Sequence, residues 1–202
     1  FNHIRCSHNP YSEDLYQLCD RYGLLVVDEL YDKWLTQYAG GRTEWTNLWQ
    51  QDVPEWVKRD RNHPSVVLWS LGNELQTYPN LPFNDWGVTP YKLLRELLHR
   101  YDTTRLVTVA MHPRGRNWET DSLPCDLAML TDVQAYNYRY MYFPGDGRRF
   151  PWMKFYQSEA NLPMMGPNFY EMDREKVIGL AYWGMIDYLG ESMGWPAKGW
   201  VN

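Results

Sequence analysis

At 202 residues, the chain has room for one domain with a substantial core, and its formal net charge of −5 is spread without the basic cluster that nucleic acid as a partner would need. Aromatics make up 16% of it, with 11 Trp and 16 Tyr; most would pack a core, and the rest could offer flat faces to an amphipathic ligand such as a sugar. No run of about 18 apolar residues exists to cross a membrane, and Cys6, Cys19 and Cys125 lack any metal spacing, so they read as reduced core thiols.

Residues 1–5 read as a strand ending in Arg5, so any targeting segment would precede the sequence. Ser12 is expected to cap a helix with Leu15, Leu18, Cys19 and Tyr22 on one face, and Gly23 to close it. A buried strand at 24–27 follows, tipped by Asp28-Glu29. The aromatic loop 30–43 could form part of a cleft rim, and a helix over about 44–60 would start a fresh turn at Pro54. His63-Pro64 breaks that helical pattern, because the residue before a proline is pushed out of the helical region. The run 66–71 is nearly all apolar, as in a parallel strand covered on both faces, and Gly72 would turn the backbone so that Asn73-Glu74 stand at its C-terminal tip.

Further along, a helix is expected over 91–101 and a strand over 106–110, tipped by His112. Residues 113–124 carry no assignment. The next strand, 132–136, ends in Asn137-Tyr138-Arg139-Tyr140. A turn at 145–149 and a strand at 154–157 follow, tipped by Ser158-Glu159. A weak helical pattern over 168–176 precedes a final strand at 177–183. Seven strands alternating with helices, with polar groups at their C-terminal tips, predict an α/β fold: a (β/α)8 TIM barrel lacking its first strand. Complete barrels typically run to about 250 residues.

Chemistry in such barrels sits at the C-terminal mouth of the strands. Glu74 and Glu159, on strands three apart, would face each other there. Such a pair suits glycoside hydrolysis, which needs one carboxylic acid for the leaving oxygen and a second carboxylate to attack or to activate water. A solvated or Arg-paired surface residue is the competing reading of each.

The run Arg61-Asn62-His63-Pro64-Ser65-Val66 with Trp69-Ser70-Leu71-Gly72-Asn73-Glu74 resembles the acid/base signature of glycoside hydrolase family 2, which holds β-galactosidases, β-glucuronidases and β-mannosidases. Ile4-Arg5-Cys6-Ser7-His8-Asn9-Pro10, the stretch from Asp20 to Glu29, Gln157-Ser158-Glu159 and the stretch from Tyr182 to Tyr188 resemble the same family in the right order. The resemblance implies Glu74 as acid/base and Glu159 as nucleophile of a retaining double displacement, with Asn73 on the sugar 2-hydroxyl. Arg5 would keep Glu159 ionised, although an ion pair of Arg5 with Asp28 fits equally. Tyr138, or Tyr140 in its place, would donate to the nucleophile. Trp183 would floor the sugar ring, His8 would touch a hydroxyl, and Asn137 would join the substrate-binding set. His63 is assigned to structure. Glu29, Asp32, Trp34, Trp86 and His112 have weaker claims on the cleft.

The missing first strand implies that the 1–202 barrel is part of a longer multidomain enzyme and packs against β-sandwich domains of it. The loop 30–35 lacks the Glu-x-His with which some family galactosidases hold magnesium, so no catalytic metal or other cofactor is expected. Pro196-Ala197-Lys198 departs from the Asn-x-Lys that clamps a uronic acid. A terminal neutral β-linked sugar, galactose-like, is therefore favoured as the carbohydrate substrate. A non-catalytic glycan-binding barrel remnant and a β-glucuronidase or β-mannosidase of the same family are the alternatives.

Overall fold

The computed structural model describes residues 1–34, 45–75, 82–112, 123–161 and 166–183. Most of the loop expected at 30–43, and the expectations placed on 184–188 and on 196–198, lie outside these residues. Seven strands, β1 (His3–Arg5), β2 (Leu25–Glu29), β3 (Val66–Asn73), β4 (Leu106–Met111), β5 (Gln134–Asn137), β6 (Phe155–Ala160) and β7 (Val177–Tyr182), form one sheet. Each pairs in parallel with the next in sequence. This is a partial (β/α) barrel. Among the described residues β7 and β1 do not pair, although Phe1 meets Tyr182 edge-on at 6.4 Å between ring centroids.

The helices are α1 (Glu13–Tyr22), α2 (Trp45–Asp60), α3 (Val88–His99), α4 (Asp126–Leu130) and α5 (Phe143–Arg149). Gly23 closes α1 in the left-handed conformation, φ 71°, where a glycine has no Cβ to clash. Ser12 sits at the other end without making a capping bond, contrary to expectation. Pro54 lies inside a continuous α2 instead of starting a new turn. The turn expected at 145–149 is the end of α5, and the weak pattern at 168–176 yields only a 3-10 turn, Phe169–Glu171, closed by an Asn168 capping box. Both segments are short, and with so few turns periodicity cannot separate a helix from a turn. Cys6 and Cys19 are buried free thiols, whereas the half-buried Cys125 caps α4, its Sγ accepting from the Ala128 N–H.

Strand alternation divides the side chains between two layers. Val26, Trp69, Leu71, Val107, Val109 and Phe155 face outward into the core shared with Tyr16, Val53, Trp56, Leu94 and Leu98 of the helices. Val27, Leu68, Val133, Ala135 and Tyr156 fill the lumen. Below them the lumen opens into a cavity of about 710 Å³ at the N-terminal end, rimmed by exposed Phe1, Leu25, Val67, Leu106 and Ile178.

Two register shifts matter for the mouth. On β3, the three steps from Ser70 to Asn73 oppose two on β4, and on β5–β6 the pairing moves from Ala135–Tyr156 to Asn137–Glu159. Each is a one-residue bulge at the C-terminal tip, and bulges re-aim the side chains that follow. The bulge brings Asn73, not Gly72, into the lumen. Gly72 does not turn the backbone: it lies inside β3, where a Cβ would come within 3.0 Å of Trp34 Nε1 and 3.1 Å of Leu75 Cδ1. The turn falls at Glu74, φ 50°, and Tyr138 after β5 has φ 59°. Non-glycine residues rarely hold that conformation, and those that do collect at functional sites.

Behind β2, Asp28 is fully buried and accepts from Tyr16 Oη at 2.7 Å and Trp56 Nε1 at 2.8 Å. Burial, then the charge of Asp60, push its carboxyl well above the ordinary range, so the folded chain holds a proton there that the unfolded chain releases. Folded Asp28 binds the extra proton, so stability falls as pH rises from the ordinary Asp value of about 4 toward the raised one. Urea denaturation across pH 4–8 is expected to show this decline, and D28N to flatten it; a wild-type stability that rises across the window contradicts the assignment.

Candidate active site

β1 ends on Arg5, and every donor of its guanidinium that points into the lumen finds an acceptor. Nε and Nη2 bind the Glu29 carboxylate at 3.1, 3.0 and 2.8 Å, a two-pronged contact that fixes the plane of the guanidinium. Nη1 donates to Glu159 Oε1 at 3.0 Å and to the Ser158 carbonyl at 3.1 Å. Nη2 also donates to Asn73 Oδ1 at 3.0 Å. Burial alone would lower the Arg5 affinity for its proton, but Glu29 and Glu159 outweigh that and hold it above its ordinary value. A single cation thus ties together the tips of β1, β2, β3 and β6.

The ion pair with Asp28 anticipated for Arg5 does not form. Asp28 and Glu29 are consecutive on a strand, so they face opposite sides, and only Glu29 points inward. Glu29 is itself fully buried and also receives Ser70 Oγ at 2.7 Å and His8 Nδ1 at 2.8 Å, so it supports the mouth from below and does not line it. A carboxylate oxygen accepts, so His8 Nδ1 is the donor in that contact. Its Nε2 is left 3.8 Å from Glu159 Oε1 and 3.4 Å from Asn73 Nδ2.

Asn137 joins the same network: its Nδ2 donates to Asn73 Oδ1 at 3.0 Å, and its Oδ1 receives Ser158 Oγ at 2.6 Å. The Tyr138 N–H donates to the Glu159 carbonyl at 2.7 Å. Burial, then the proximity of Glu159, raise the phenol well above its ordinary value, and the charge of Glu74 adds to the effect. Tyr138, and not Tyr140, therefore stands at Glu159 and within the field of Glu74. Glu74 itself is partly exposed, with His112 Nδ1 3.8 Å from Oε1 and Lys33 Nζ 4.0 Å from Oε2. His112 also meets Tyr138 edge-on. Trp183, 37% exposed just past β7, stacks on His8 at 5.2 Å between centroids and 22° between planes.

The weaker expectations divide. Asp32 is in the network, its Oδ1 receiving Asn73 Nδ2 at 3.0 Å. Trp34 is not in the cleft: it is buried, donates Nε1 to the Leu71 carbonyl and stacks on Trp45. Trp86 is half exposed on the loop that leads into α3. His63 has a structural role, bonding Asp20 Oδ2 at 2.6 Å through Nδ1. Ser70, Ser158 and Lys33 were not singled out from the sequence. Ser70 and Ser158 were accessible to it through alternation, since they share phase with lumen-facing Leu68 and Tyr156. Among the described residues, no group of three or more His, Cys, Asp or Glu has the arrangement to hold a metal ion.

The family model for glycosyl hydrolases family 2, TIM barrel domain, matches residues 1–143. The chain belongs to glycoside hydrolase family 2. A family-2 crystal structure from Bacteroides cellulosilyticus superposes with a TM-score of 0.78 and 35% identity, covering 96% of this chain and 24% of that one. A β-galactosidase of Bacteroides ovatus is 29% identical over 87% of this chain and 24% of its own length. A putative β-glucuronidase of Formosa agariphila is 49% identical over 36% of this chain and 7% of its own length. The family-2 barrel described above thus spans about a quarter of the Bacteroides proteins it matches.

Because Arg5 and Glu29 are both almost wholly buried, removing either partner strands a charge. Breaking a buried pair typically costs about 3–5 kcal/mol. R5M and E29Q are each expected to lose stability on that scale in urea denaturation, and the double variant to lose less than their sum. Additive losses would show that the two groups do not act as a pair.

Proposed function

We propose that this barrel carries the catalytic site of a retaining, exo-acting β-glycosidase that releases a terminal neutral β-linked sugar, galactose-like, by double displacement. The observation that carries the reading is the setting of Glu159. A carboxylate held by a buried guanidinium, with Tyr138 tied to the same residue through its backbone, is oriented for attack on an anomeric carbon. Glu74 is more exposed, on a strained residue at the tip of β3, where a carboxyl can reach a leaving oxygen. Trp183 beside His8 offers a flat face for the apolar side of a sugar, and Asn73 and Asn137 the polar contacts. Family membership supports the reaction class. The galactose-like preference is supported by the likeness to the Bacteroides ovatus β-galactosidase over most of the chain.

A second reading applies to the chain by itself. Its described sheet is unpaired between β7 and β1, and the apolar rim of the basal cavity is exposed. An unpaired edge holds a site loosely and favours association. In the longer protein, β-sandwich domains would cover such surfaces; the isolated barrel would bind glycans with little turnover.

In the full-length enzyme, E159Q is expected to abolish turnover. E74A should lose about 10²–10⁴-fold on glycosides with poor leaving groups, the usual worth of a general acid, while sparing aryl glycosides whose leaving groups need no proton. Normal turnover by E159Q, or equal losses of E74A on both substrate types, contradicts the assignment.

A further inference from the structure

The loop after β2 is fastened to the tip of β3. The Asn73 N–H donates to the Asp32 carbonyl at 2.6 Å, and Asn73 Nδ2 donates to Asp32 Oδ1 at 3.0 Å. This double contact sets Asp32 and Lys33 beside Asn73 and Glu74. Lys33 Nζ donates to the same Asp32 oxygen at 2.9 Å and stands 4.0 Å from Glu74 Oε2. His112 Nδ1, just past β4, stands 3.8 Å from the other Glu74 oxygen, Oε1. The Lys33 and Glu74 side chains are only 12% and 23% exposed, so salt and water screen their attraction less than on an open surface.

These contacts differ in kind from those around Glu29, whose oxygens receive donors from Arg5, Ser70 and His8 at hydrogen-bond distance. At 3.8 and 4.0 Å, the Glu74 oxygens feel the charge of a neighbour without being held by it. A proton or a lone pair is thus left for a leaving oxygen or for water. Histidine changes charge near neutral pH, whereas an ammonium stays charged throughout the range in which carboxyl groups titrate. We infer that Lys33 is a positioning residue for Glu74, a built-in cation that favours the carboxylate and so readies the group to act as a base after it has acted as an acid. This rests on the glycosidase reading above. In the first step the Glu74 proton passes to the leaving oxygen as its bond to the anomeric carbon breaks and Glu159 bonds that carbon. In the second, a water proton passes back to Glu74 as the water oxygen bonds the same carbon and Glu159 leaves. Among the described residues, the charged and titratable groups around Glu74 are Lys33 with Asp32 behind it, His112, and Tyr138, whose phenol lies in the field of both Glu74 and Glu159. Of these, Lys33 is the constant cation.

The experiment measures the pH profile of kcat/KM for the full-length enzyme and its K33M, K33R and E74Q variants, on a β-glycoside whose leaving group needs a proton. The alkaline limb falls where the acid loses its proton, and the acidic limb where the nucleophile gains one. A carboxyl group without a cation beside it gives up its proton less readily. K33M should therefore move the alkaline limb upward by about half a pH unit, the scale of a partly exposed ion pair, and leave the acidic limb in place. Methionine is close to lysine in length, so K33M is expected to fold, which a melting curve checks. K33R keeps the charge and should keep the alkaline limb near its wild-type position. E74Q, assayed at higher enzyme concentration, should lose that limb altogether. An unmoved alkaline limb in K33M, an equal shift of both limbs, or a K33R variant displaced as far as K33M overturns the inference while leaving the glycosidase reading intact. An alkaline limb that persists in E74Q shows that Glu74 is not the acid and overturns that reading and the inference with it.

Discussion

Arg5 is the constraint on which the mouth of this barrel depends. A guanidinium taken wholly out of water is tolerable only where its charge and its hydrogen-bonding groups are met, and here they are met by Glu29, Glu159, Asn73 and a main-chain carbonyl. These partners come from three other strands, so satisfying one cation fixes the relative positions of four strand tips. Glu29 then needs partners of its own and draws in Ser70 and His8. The result is a closed set of polar groups in which no member can shift alone.

The sheet supplies the geometry this network requires. Parallel strands carry the polar tips to one end, while the outward side chains are apolar and pack on the helices. Regular alternation would not by itself deliver both candidate carboxylate strands correctly. The bulges at the tips of β3 and β6 change the phase by one residue, which is why Asn73 faces the lumen where alternation alone would have put Gly72. Gly72 is then free to serve packing, letting Trp34 come close against the strand. Strain gathers at the same end, in the left-handed backbones of Glu74 and Tyr138.

Much of this was legible in the sequence because buried strands announce themselves as apolar runs with polar ends, and all seven strands fell close to where those runs lie. Arg5, His8, Asn73, Asn137, Tyr138 and Glu159 were nameable through the motifs that carry them, and the structure draws them into one network. What the sequence could not carry was pairing. Asp28 and Glu29 are equivalent as a string, and only their opposite faces decide that Glu29 meets Arg5 while Asp28 joins Tyr16 and Trp56. Likewise Trp34 reads as a cleft aromatic until its contact with the Leu71 carbonyl places it in the core. The bulges leave no signal of their own, and the short α4, of five residues, has too few turns to show a period.

If Arg5 and Tyr138 hold Glu159 for attack, the most direct test is to catch the sugar on it. The full-length enzyme would be incubated with an activated β-glycoside whose second step is slow, then digested and read by mass spectrometry. The mass of one sugar on the peptide containing Glu159 is the predicted result. A sugar on Glu74 or Glu29, or turnover of the same reagent with no adduct on any carboxylate, would contradict it.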